Sequence, residues 1–190
     1  VTPRIYLAGD LVFRPDALAI FDRLRAICAS LNLAGIAPLD GQADLAGLPP
    51  GPETILAIVK ADRALMDSCA AGLFCLDPFR GAPDMEPGTA VEIGYMHAQA
   101  KPLCGYTTDG RDYPTKVAAR HKLRPRAPLA LGGSSGSLED ENGILVHSEG
   151  MVQNGMTEGF IRLSGGLVFA DPDFDTAFLL AATHLAGMLK

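Results

Sequence analysis

The sequence predicts a doubly wound α/β fold: one parallel, five-stranded sheet of the flavodoxin-like or Rossmann-like kind, with helices on both faces. Two observations carry this. Short apolar runs alternate with segments whose apolar residues recur at three- and four-residue steps, the rhythm of a βαβ chain. The short runs are also nearly continuous in hydrophobic residues rather than alternating, as expected of strands covered on both faces.

Ile5-Tyr6-Leu7-Ala8-Gly9 reads as the first strand, closed by a glycine. Pro15 to Leu31 reads as a helix, with Leu18, Phe21, Leu24, Ile27, Cys28 and Leu31 at helical spacing and Pro15 suited to its first turn. Leu33 to Leu39 reads as a second strand, and the Gly- and Pro-rich stretch from Gly41 to Pro52 as a loop. Glu53 to Cys69 returns to helical spacing through Ile55, Leu56, Ile58, Val59, Leu65 and Met66. Ala71 to Leu76 reads as a third strand, Asp77 to Gly88 as a loop, Thr89 to Ala100 as a helix and Pro102 to Tyr106 as a fourth strand. Gly166 to Ala170 is the expected last strand. Asp173 to Leu189 is the expected closing helix, with Phe174, Phe178, Leu179, Leu185 and Leu189 towards the core.

Between Thr107 and Gly150 the rhythm breaks. This stretch holds Arg111, Lys116, Arg120, Lys122, Arg124 and Arg126, then the run Gly132-Gly133-Ser134-Ser135-Gly136-Ser137. It reads as a long irregular insertion, about 107–150, within a single domain spanning 1–190. Its basic cluster is either a phosphate site or a solvated positive surface.

The composition of the 190 residues narrows the function classes. Apolar residues make up 48% and charged residues 20%, which suits a packed domain rather than a disordered chain. A formal net charge of -6 argues against nucleic-acid binding through a global basic field. No apolar stretch is long enough to span a membrane. The four cysteines, Cys28, Cys69, Cys75 and Cys104, form no Cys-x-x-Cys pair and are expected to be buried free thiols. His97, His121, His147 and His184 supply no ligand spacing, so neither a metal nor an organic cofactor is implied. Val1-Thr2-Pro3 shows no basic-then-apolar leader, which together with free thiols leads to an expected cytoplasmic location.

In such folds ligands bind outside the carboxyl ends of the strands. The loops after Gly9, Leu39 and Leu76 are therefore expected to meet in one crevice. The last of these is dense in carboxylates: Asp77, Asp84 and Glu86 precede Pro87-Gly88-Thr89-Ala90-Val91-Glu92-Ile93-Gly94-Tyr95, where the loop leads directly into a helix. Clustered carboxylates raise one another's pKa and suit acid, base and nucleophile roles. Glu92 also has a purely structural explanation, since Thr89-x-x-Glu92 has the spacing of a capping box.

These residues resemble the nucleoside 2-deoxyribosyltransferases. The resemblance lies in Ile5 to Gly9 with Val12-Phe13, in Pro38-Leu39-Asp40-Gly41-Gln42, and in Pro87 to Tyr95 continuing to Lys101-Pro102; Asn154-Gly155-Met156 is a looser match. It implies a double displacement at the anomeric carbon of a 2'-deoxynucleoside, with exchange for a free nucleobase. Glu92 would be the nucleophile, Glu86 or Asp84 the proton donor to the leaving base, and Tyr6 the residue orienting the nucleophile. Gln42 would read the base edge, with Asp40 supporting its loop and Gly9, Phe13, Asp77 and Gly88 lining the substrate site. Asn154 and Met156 would reach the deoxyribose from a neighbouring subunit, making the protein a homo-oligomer, dimer or hexamer, with shared active sites. Relatives carry an aspartate where this chain has Ala70; Asp67 lies three residues earlier, on a different part of the turn, and Asp77, at the strand's far end, would have to compensate. The Pro78-Phe79-Arg80-Gly81 and Pro87-Gly88-Thr89-Ala90 patterns imply purine preference. The competing readings are a nucleoside or nucleotide N-glycosidase, which would use water as acceptor, and a non-catalytic nucleotide-binding module.

Overall fold

A computed structural model describes residues 1–42, 45, 47–127, 137–147 and 150–190. The main sheet has five parallel strands: β1 (Arg4–Ala8), β2 (Ala34–Ile36), β3 (Ala71–Cys75), β4 (Leu103–Thr107) and, last in the chain, β8 (Val168–Ala170). Their order across the sheet is β2-β1-β3-β4-β8. The chain leaves β1 towards β2, then crosses back to β3 on the other side. The loops after β1 and β3 therefore diverge at their carboxyl ends and open a crevice, the switch point of a doubly wound sheet.

Helices α1 (Ala17–Ser30) and α6 (Phe174–Met188) cover one face, packing Phe21, Leu24, Cys28, Phe178 and Leu185 against Ile5, Leu7, Leu73 and Tyr106. The other face meets α2 (Pro52–Ser68), α3 (Pro87–Ala98) and α5 (Gly155–Leu163), through Met66, Ile93, Met96 and Ile161 against Tyr6, Ala8, Phe74 and Leu76. Because side chains alternate along a strand, Ile5 and Leu7 serve the first layer while Tyr6 and Ala8 serve the second. That alternation aims the Tyr6 hydroxyl at α3. Gly9 ends β1 with φ of 143°, and a Cβ there would lie 2.5 Å from the Cβ of Cys75. Only glycine lets the chain turn into the crevice so close to β3.

The order and type of the expected strands and helices agree with this architecture, with differences of detail. The second strand is short, because Pro38–Gly41 forms a 3-10 turn that Asp40 locks by accepting from the Ala37 amide at 2.9 Å. Leu18 on α1 and Leu179 on α6 face outwards, and their places in the core go to Ala17 and Ile20 and to Ala177 and Ala181. Ile55, Leu56 and Val59 on α2 are likewise exposed. All four cysteines are buried and free. Helix α5 has no counterpart among the expected elements. Asn154 caps it, accepting from the Met156 amide at 3.0 Å.

The stretch expected to be irregular contains the short helix α4 (Tyr113–Ala118) and an antiparallel sheet of β5 (Arg124–Pro125), β6 (Leu138–Glu139) and β7 (Leu145–Val146). Most of the Gly/Ser run, residues 132–136, lies outside the described residues. No helix among the described residues is long and apolar enough to cross a membrane.

Candidate active site

A cavity of about 280 Å³ opens in the crevice, lined by Gly9, Val12, Phe13, Pro38, Leu39, Gln42, Ile58, Asp62, Glu86, Gly88 and Glu92. Its volume is near the lower end for small-molecule sites, ~300 Å³. The loops after β1 and β2 form one wall, α2 a second, and the first turns of α3 the third.

Helix α3 starts at Pro87, whose fixed φ suits a first helical position. The cap is Glu86: its Oε2 accepts from the Thr89 backbone N–H at 2.8 Å and from the Thr89 hydroxyl at 3.2 Å. The capping role is thus taken one turn earlier than the Thr89-x-x-Glu92 spacing suggested, and Glu92 is free of it. Glu92 lies four residues after Gly88, on the same side of the helix. The missing side chain at Gly88 leaves room above the Glu92 carboxylate, and a Cβ there would come within 2.8 Å of Glu86 Oε2.

Glu92 Oε1 accepts a hydrogen bond of 2.7 Å from the Tyr6 hydroxyl. Tyr6 is fully buried, and removing its proton beside a carboxylate is strongly disfavoured, so it acts only as a donor here. Burial pushes the Glu92 carboxyl up to about 7; the Tyr6 bond opposes this and the nearby Asp62 and Glu86 reinforce it. Burial also raises the pKa of Asp62, while the Gln42 amide lowers it. One Asp62 oxygen is buried and has no hydrogen-bond partner among the described residues. The ionisable residues lining the cavity are all carboxyls: Asp62, Glu86 and Glu92.

Of the residues anticipated from sequence, Glu92, Glu86, Tyr6, Gly9, Phe13, Gln42 and Gly88 come together around this cavity. The others lie elsewhere. Asp40 pairs with Arg25 at 2.6 Å and holds the Pro38–Gly41 turn, so it supports the Gln42 loop from behind. Asp84 turns away and accepts from the Tyr113 hydroxyl at 3.1 Å. Asp77 is buried under β4, where it accepts from Thr107, at 2.9 Å, and from the Thr108 N–H, at 2.6 Å. It lines a different hollow with Arg14 and Arg23. Asp67 is on the surface, accepting from Tyr95 and Gln99. Asn154 and Met156 border a separate, open hollow with His147 and Met151.

Asp62 was missed. It sits four residues after Ile58 and three before Leu65, within the inward stripe of α2. A carboxylate at an inward position of an amphipathic helix is the signal that could have found it.

A carboxylate held by a buried tyrosine thus lies at the switch point of a doubly wound sheet, where such folds bind small ligands. The sequence profile of the nucleoside 2-deoxyribosyltransferase family matches residues 5–156, and the chain belongs to that family. An uncharacterized protein of Schizosaccharomyces pombe is 55% identical over 194 aligned positions, covering 99% of this chain and 90% of the relative. Two solved structures have a similar fold. A 2-desoxiribosyltransferase from Leishmania mexicana gives a TM-score of 0.65 at 24% identity, covering 96% of this chain and 98% of that one. A conserved protein from Enterococcus faecalis gives 0.57 at 21% identity, covering 97% and 99% respectively.

Proposed function

We propose that the protein transfers the 2-deoxyribosyl group between nucleobases by double displacement at C1', with Glu92 as nucleophile. The observation that carries this is the Glu92 carboxylate, aimed by Tyr6 into a cavity whose other ionisable walls are also carboxyls. In the first step a Glu92 oxygen bonds to C1' as the glycosidic C–N bond breaks. The electron pair leaves with the base nitrogen, which takes a proton from a carboxylic acid. In the second step a nitrogen of the incoming base attacks C1', the Glu92 ester bond breaks with its electron pair returning to the carboxylate, and the incoming base gives up its N–H proton to the other carboxylate, restoring the acid. Two inversions retain the configuration, as in retaining glycosidases with a base in place of water. A 2'-deoxy sugar suits this route, since no electron-withdrawing 2'-oxygen opposes the oxocarbenium-like transition state.

The general acid must hold a proton at working pH. Asp62 meets this better than Glu86: burial favours its neutral form, and one of its oxygens is unpartnered. Glu86 is engaged as an acceptor by Thr89, which fixes it to orient the sugar. Gln42, beside Asp62, reads the base edge by both donating and accepting. Phe13 supplies an apolar wall. An all-acidic lining opposes a 5'-phosphate, which favours nucleosides over nucleotides.

Purine donors are the expected class, from the two loop patterns. Asn154 and Met156, which do not line the cavity of their own chain, suit a role in the site of a second copy in a homo-oligomer. The test is incubation of deoxyinosine with and without adenine, repeated across purine and pyrimidine pairs. Deoxyadenosine formed only with adenine supports transfer. Free deoxyribose released equally in both, without deoxyadenosine, makes the protein a hydrolase. A 2'-fluoro-arabino nucleoside should leave added mass on Glu92, and turnover without that adduct would count against the covalent route.

A further inference from the structure

Behind the loop that leads into α3 lies another cavity, of about 300 Å³, lined by Pro78, Ala82, Pro83, Arg111, Lys116, Ala119 and Arg120. Its charged lining residues are all cations, in a chain whose net charge is -6. Lys116 is 2% exposed. Its ammonium donates to the Val152 carbonyl at 2.6 Å, but no carboxylate lies within ion-pair distance among the described residues. Asp109, Asp77 and Glu158 offset its burial only from a distance, and burial still lowers its pKa. A buried ammonium with unused donors and no ion-pair partner is costly unless an anion meets it.

Arg120 is exposed and forms no ion pair with a described residue. Its guanidinium tip stands 3.9 Å from where a Cβ on Gly81 would be. Arg111 gives Nε and one terminal nitrogen to Asp109, at 2.8 and 2.6 Å, and keeps the other terminal nitrogen. We propose that this pocket binds a phosphate group, free or as a small phosphate ester, between Arg120, Arg111 and Lys116. Guanidinium forks and an ammonium match the tetrahedral oxygens of that dianion. The bound phosphate would brace the 77–86 loop, whose Phe79 ring lies 5.9 Å from Phe13 of the catalytic cavity.

The probes are inorganic phosphate and 2-deoxyribose 5-phosphate, titrated against the whole protein by calorimetry and thermal unfolding at constant ionic strength. Saturable binding of either probe is expected, with a rise in the wild-type unfolding midpoint. Tighter binding of the sugar phosphate would identify an ester as the ligand, and tighter binding of inorganic phosphate the free ion. Arg120→Ala, at an exposed position that should not disturb folding, is expected to weaken binding about tenfold or more. Lys116→Met is expected to abolish it. Flat titrations with both probes, or equal binding by wild type and Arg120→Ala, would overturn the proposal.

Discussion

Replacing Glu92 with glutamine should make the protein more stable in mild alkali while removing its activity. The carboxyl rises from its ordinary value of 4.5 to about 7 in the folded state, chiefly through burial. A raised acid favours folding while both states are protonated, below about 4.5. That advantage is lost as pH rises through about 7, where the folded state must hold a buried carboxylate. The shift of about 2.5 units corresponds to about 3 kcal/mol at 1.36 kcal/mol per unit. Water entering the cavity screens this charge, so roughly 1–2 kcal/mol is the realistic effect. Glutamine keeps the shape and still accepts from Tyr6. Urea unfolding of wild type and Glu92→Gln at about pH 5 and pH 8 measures the difference. The variant should gain about 1–2 kcal/mol on wild type between the two pH values. A stability difference that is the same at both would show that Glu92 is not held in a destabilising site, and would undo the reasoning about its pKa.

Four other changes test neighbouring parts of the site. Tyr6→Phe removes a donor to the carboxylate, worth about 1.5–3 kcal/mol, so the acid limb of the pH–rate profile should move up by about 1–2 units; an unmoved limb would mean that Tyr6 does not tune the nucleophile. Asp62→Asn should lower kcat/KM by about 10²-fold or more, with much of the loss recovered for donors whose base leaves without protonation, whereas Asp84→Asn, outside the cavity, should change it by only a few-fold. Gly9→Ala forces a left-handed φ and a clash with Cys75 and should cost roughly 2 kcal/mol or more in denaturant unfolding, so wild-type stability would refute the close approach.

Much of the architecture was legible because local patterns report burial. Continuous apolar runs mark strands covered on both faces, and helical spacing marks the faces that cover them. Helix α5 escaped because Gly155 and Gly159 interrupt its pattern and its buried members include Thr157 and Glu158. Glu158 can be buried only because it accepts from the Val152 and Gln153 amides and pairs with Arg162. Such partners depend on how the chain folds back, which spacing does not record.

The site divides in the same way. By itself the sequence determined that a carboxylate-rich loop leads into a helix carrying Glu92, and that Tyr6 lies on the first strand; that Gly88 belongs to the helix, on the side of Glu92, and that Tyr6 meets Glu92 came from the structure. Which carboxylates share the cavity was decided only by tertiary structure. Asp62, remote in sequence from the loop, enters from α2, while Asp77, Asp84 and Asp40 are taken up by Thr107, Tyr113 and Arg25. The physical reason is that a side chain's direction follows from the element bearing it, but its partner depends on which elements pack against that one. Those contacts also decide whether a carboxylate keeps its charge, since burial and neighbouring groups shift its pKa.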